Sequence, residues 1–147
     1  MAKTSRSKPL KYMDKSAGQP GISDLFEDLK KVLSEYAIGN YFVKSDRPGC
    51  YELYYGKKVE VQGKVYPELC FVSLLVQKGY VGFYYFPVYM NTALQNKLGP
   101  ELRKCLKGKT CFHLKEKDPL LFLQIKEALD LGKDFYVSQG WKHMRPK

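Results

Sequence analysis

The chain is poor in three things: long apolar runs, histidine and acid. No stretch approaches the ~18 to 20 uninterrupted apolar residues of a membrane helix, which argues against a membrane partner. The opening residues, MAKTSRSKP, also lack the apolar region of a secretion signal, so a cytoplasmic protein is expected. Cysteine is sparse, limited to Cys50, Cys70, Cys105 and Cys111, with no C-x-x-C spacing. A chain of 147 residues without a secretion signal needs no disulfide staples, and free thiols are expected. His113 and His143 are the only histidines, and with no C-x-x-C and His143 in the tail, nothing gathers the three or four convergent ligands that a zinc site needs.

Acid is outnumbered: 15 Asp and Glu stand against 25 Lys and Arg, for a formal net charge of +10. Such a balance invites nucleic acid, but where the charge lies decides the matter. Residues 1–20 hold +4, from Lys3, Arg6, Lys8, Lys11 and Lys15 against Asp14. Residues 141–147 hold +3, from Lys142, Arg145 and Lys147, which leaves +3 for everything between. The first twenty residues have too few large apolar side chains to offset the entropy of ordering them. The expected organisation is a flexible basic tail over 1–20, a single domain over 21–141 and a basic tail over 142–147. Nucleic acid is then an unlikely partner, bound weakly and nonspecifically through the tails if at all.

What is present is enough apolar residue, 44%, to fill one core, and an aromatic-rich centre. Ile22, Leu25, Phe26, Leu29, Val32, Leu33 and Tyr36 fall on one helical stripe, with Ser23 as its N-cap and Gly39 as its stop. From Tyr41 the period changes to two, predicting strands at Tyr41–Lys44, Tyr51–Tyr55, Lys58–Val61, Leu69–Gln77 and Tyr80–Phe86. Short turns between them imply an antiparallel meander. Two short helices, Asn91–Leu98 and Pro100–Leu106, precede a last strand at Lys109–Leu114. Asp118-Pro119 then opens a helix to about Gln139. The fold class is therefore α+β: a curved antiparallel sheet of five to six strands, packed by an N-terminal and a C-terminal helix.

Within VGFYYFPVY, Lys78-Gly79 reads as a two-residue hairpin loop and fixes the register by counting outward. Val76 faces Val81, Leu74 faces Phe83 and Val72 faces Tyr85, an apolar set for the core. The opposite face pairs Gln77 with Tyr80, Leu75 with Gly82, Ser73 with Tyr84 and Phe71 with Phe86. Phe71, Ser73, Tyr80, Gly82, Tyr84 and Phe86 are thus the candidate ligand-binding residues, with a hollow over Gly82 where a side chain is missing. The alternative is a half-exposed sheet finished by tyrosines whose hydroxyls face water.

Other constellations offer less. LKGKTCFHLK lacks the first glycine of a phosphate loop, since Arg103 stands five positions before Gly108, and its order is helix then strand. Arg103, Lys104, Lys107 and Lys109 remain a looser anion-binding cluster. Cys111 and His113 share a strand face, but no third group is evident to orient the imidazole for catalysis. Asp24, Glu27 and Asp28 could offer oxygen ligands to a metal, although acids near a helix start are already explained by the helix dipole.

The run CFVSLLVQKGYVGFYYFPVY, followed by ELRKCLKGKTCFHLK and a closing helix ending in Trp141, resembles the YdhG-like family of small intracellular domains of unknown function. The likeness covers about Tyr41 to Trp141. It implies an α+β fold with a curved sheet backed by helices, and no catalytic motif to carry over. Some relatives are linked to frataxin-like iron delivery, which would make iron the cofactor and the acids of the first helix its ligands. The leading expectation is a non-enzymatic binding domain, monomer or homodimer, with a small-molecule or protein partner on the aromatic sheet face. Iron delivery and weak nucleic-acid binding are the alternatives.

Overall fold

The structure, a computed structural model, describes residues 12–61, 63–108, 110–138 and 142–143. Helix α1 (Pro20–Ser34) is followed by strands β1 (Tyr41–Arg47), β2 (Cys50–Tyr55), β3 (Val59–Val61), β4 (Lys64–Tyr66), β5 (Leu69–Gln77) and β6 (Tyr80–Tyr85). Helix α2 (Phe86–Met90), a 3₁₀ turn (Thr92–Lys97) and helix α3 (Pro100–Arg103) lead to β7 (Leu106–Lys107) and β8 (Cys111–Leu114). Helix α4 (Pro119–Ser138) and β9 (Lys142–His143) complete the described chain. The main sheet has six strands in the order β1-β2-β5-β6-β8-β7, every pair antiparallel. The expected α+β class holds, but β3, β4 and β9 form a separate small sheet, so the meander is interrupted.

One face of the main sheet is the core. Leu53, Leu74, Phe83 and Phe112 are fully buried there with Leu29 and Leu33 of α1 and Ile125 and Leu129 of α4. Helix α4 lies very close to the strands: a Cβ on Gly132 would stand 2.9 Å from both the Phe71 ring and the Tyr85 hydroxyl. That hydroxyl donates to the Ala128 carbonyl at 2.5 Å, fixing the helix over the hairpin. The β5–β6 register is as counted from Lys78-Gly79, with Val76 opposite Val81, Leu74 opposite Phe83 and Ser73 opposite Tyr84. Gly79 takes φ 85 in the turn, a conformation glycine adopts without steric cost.

Several boundaries move for local reasons. Pro20 begins α1, so Ser23 lies inside the first turn and caps nothing. The helix ends at Ser34, and Gly39 serves the turn into β1 with φ 64. Pro87 has no N–H for a ladder, so β6 stops at Tyr85 and Phe86 begins a helix that the alternating pattern conceals. Strands β3 and β4 pair antiparallel as a hairpin, where local sequence predicts only the end of a strand. Residues 1–11 lie outside the described residues, as do Lys109 and Trp141, but the second half of the expected loose tail has defined contacts. The Tyr12 hydroxyl donates to the Val76 carbonyl at 2.6 Å, and Gln19 bonds both the Gln77 carbonyl and the Gly79 N–H at the hairpin tip. In the expected C-terminal tail, Lys142 and His143 pair with Glu60 and Val59.

Candidate functional site

The second sheet face is built by alternation from five strands. Ser45, Glu52, Ser73, Tyr84 and Cys111 stand directly opposite one another, strand to strand, and form one row across it. At one end of the row Glu52 is 6% exposed and accepts hydrogen bonds from the Ser45 and Ser73 hydroxyls at 2.9 and 3.1 Å. Its carboxyl therefore sits in a satisfied polar cradle inside an otherwise apolar sheet. At the other end the Tyr84 hydroxyl bonds Cys111 and Gln77, and burial, with the Cys111 bond adding, pushes it up to about 12. Burial raises the Cys111 thiol as well, which keeps it protonated at neutral pH.

The next row places Leu75, Gly82 and His113 side by side. Gly82 offers no hollow: a Cβ there would meet the Tyr84 ring at 2.8 Å, because that ring leans across the glycine and fills the space. His113, directly opposite Gly82, turns toward Tyr80, and the two rings stack with centroids 3.7 Å apart and planes 11° from parallel. Burial, then Lys107 and Lys115, lowers the imidazole below its usual range, so His113 is neutral at pH 7.

Of the six expected ligand residues, Ser73, Tyr80, Gly82 and Tyr84 share this face. Phe71 does not. The β2–β5 ladder pairs Leu53 with Val72 and Tyr54 with Cys70, leaving Phe71 as the extra residue of a bulge. The bulge turns its ring into the core, where it is fully buried 4.8 Å from the Tyr41 ring and 5.3 Å from the Tyr136 ring. Phe86, expected opposite Phe71, has left the sheet and stacks on Tyr89 at 5.1 Å within α2.

Beyond His113 the sheet opens into a cavity of about 290 Å³ between α3, β7, β8 and the start of α4. Lys104, Lys107, Lys115, Cys105 and His113 line it, together with Glu101, Glu116 and Asp118. Two of the expected anion-binding residues, Lys104 and Lys107, thus share a concave site, while Arg103 is exposed and outside it. Its wall is fixed by Gln124 of α4, whose carboxamide oxygen accepts from the Glu101 and Leu102 N–H groups at 2.8 and 3.1 Å. Gly99 is required beside it, since a Cβ there would overlap the Gln124 carboxamide.

The acids of α1 are not poised for a metal. Lys117 sits between Asp24 and Asp28 at 2.5 and 2.9 Å, and its ammonium occupies the position a cation would take. Glu27 is exposed and takes no part in that ion pair. No group of three or more His, Cys, Asp or Glu among the described residues could hold a metal ion. All four cysteines are free, and no described helix is long and apolar enough to cross a membrane.

Lys115 and Glu52 are absent from the residues expected at this face, and His113 is expected there only as a neighbour of Cys111, not of Tyr80. The alternation of Cys111 and His113 was visible, but nothing local says that β8 pairs with β6. No family model, curated protein or solved structure matches the chain, so a functional reading has to rest on its own residues.

Proposed function

We propose that the protein is a non-enzymatic binding domain for a small molecule, with its site on the aromatic sheet face around Tyr80, Tyr84 and His113. The observation that carries this reading is the position of His113, which both stacks on Tyr80 and lines the cavity. A half-buried aromatic pair at the mouth of a concave site is a surface on which a planar group gains contact at little cost in side-chain order. The chemistry of the thiols supports binding over catalysis. Burial raises Cys105 and Cys111, so neither offers a thiolate nucleophile at neutral pH.

Indole, a neutral planar probe, tests the reading. Titrated into the protein and followed by NMR, it is expected to shift the Tyr80, Gly82, Tyr84 and His113 resonances together and saturably. Tyr80→Ala should weaken it with the fold intact. Indole shifts spread over the exposed surface, or a Tyr80→Ala variant that binds as well as the parent, would defeat the proposal.

A further inference from the structure

Three cations converge on the cavity beside His113, and they differ in how they are held. Lys104 is bridged to Glu101 at 3.2 Å. Lys107 and Lys115 line the cavity without an ion-pair partner among the described residues. The acids in the same cavity are largely engaged: Glu101 by Lys104, and Asp118 by the Leu120 N–H at 3.0 Å, where it caps α4. Glu116 is exposed. The register explains why both lysines line the cavity beside His113. Lys107 stands opposite Cys111, His113 lies two residues further along β8 on the same side by alternation, and Lys115 follows directly after the strand. Two ammonium groups beside the imidazole make the field at His113 positive, and both lower its pKa, while Glu116 and Asp118 remain as acids on the rim of the same cavity.

We propose that this cavity is an oxyanion site, taking the phosphate or sulfate group of a small ligand between Lys107 and Lys115. It rests on the binding reading above for the ligand's planar part, which would lie toward Tyr80. The anion's charge offsets the repulsion that the two lysines impose on each other and on His113, so binding favours imidazolium over imidazole. The titratable and charged groups around His113 are Tyr80 of β6, Lys107 of β7, Lys115 and Glu116 after β8, Asp118 before α4, Glu101 of α3, and Lys104 and Cys105 just after that helix. A volume of about 290 Å³ suits a small molecule, whereas a nucleic-acid duplex needs an open, extended surface.

Sulfate is the probe, because it does not titrate near neutrality, added against chloride at constant ionic strength. NMR of the His113 ring is expected to show a saturable shift and a higher imidazole pKa with sulfate bound. A Lys107→Gln/Lys115→Gln double variant should weaken sulfate by about tenfold or more. Arg103→Gln, which removes a surface charge outside the cavity, should change it little. All three side chains lie outside the core, so melting curves are expected to match the parent. A shift that grows without saturating, an equal loss in Arg103→Gln, or an unchanged double variant would each overturn the site. A duplex oligonucleotide that displaces sulfate through the same lysines would overturn it in favour of a nucleic-acid surface. Indole binding that persists while sulfate fails removes the oxyanion site alone; loss of indole binding removes the reading beneath it.

Discussion

Gly132 of the last helix faces the Tyr85 hydroxyl so closely that a Cβ there would stand 2.9 Å from it. Gly132→Ala normally favours a helix by up to about 1 kcal/mol. Here the new methyl would also meet the Phe71 ring at 2.9 Å and Pro87 at 3.0 Å, and Phe71 and Tyr85 are fully buried. Overpacking of this kind costs about 1 to 3 kcal/mol, so net destabilisation is expected. A denaturant midpoint equal to or above the parent's would show that the helix shifts freely on the sheet.

Phe83 and Tyr84 are chain neighbours on opposite faces. Phe83 is fully buried against Phe112 and Tyr85, and Phe83→Ala should cost about 3 to 5 kcal/mol. Tyr84 is only partly buried, so Tyr84→Ala should cost much less, the larger effect being an opened space over Gly82. Equal losses in denaturant melts would mean that the second face packs as tightly as the first.

Truncation should divide the N-terminal segment into two parts. Starting the chain at Tyr12 keeps its bond to the Val76 carbonyl and the Gln19 bonds to the hairpin tip. Starting it at Pro20 removes all three, at a cost of about 1.5 to 4.5 kcal/mol for three hydrogen bonds. Identical melting temperatures for the two truncations would contradict the docking.

His113 makes stability depend on pH with a definite sign. Its folded pKa lies below the ordinary value of 6.5, so the unfolded chain binds the proton more readily. Stability should be level above that value with respect to this group, and fall as pH drops through the window beneath it. His113→Gln should remove that part of the slope. A parent whose stability rises on acidification through the same window would place the imidazole in a different environment.

Legibility in the sequence followed distance along the chain. The β5–β6 register was readable because a two-residue loop leaves one way to count, and α4 because Asp118-Pro119 marks its start. Phe71 was misplaced because a bulge adds one residue to β5, and alternation counted from the hairpin carries no trace of it. Phe86 was misplaced because aromatic residues suit a strand until Pro87 is weighed as a helix start. The cavity is half visible: local charge density points to Lys104 and Lys107. Lys115 and His113 join them only through the pairing of β8 with β6 and β7, contacts that no local pattern encodes.

The carboxamide of Gln124 has a consequence for the order in which the molecule assembles. Helix α3 spans four residues, too few to persist alone, and its Glu101 and Leu102 N–H groups are held by a side chain more than twenty positions later. That side chain arrives only when α4 has docked on the sheet. The wall of the cavity thus depends on the docking of α4, and a chain with its strands paired but α4 still loose would lack the binding site.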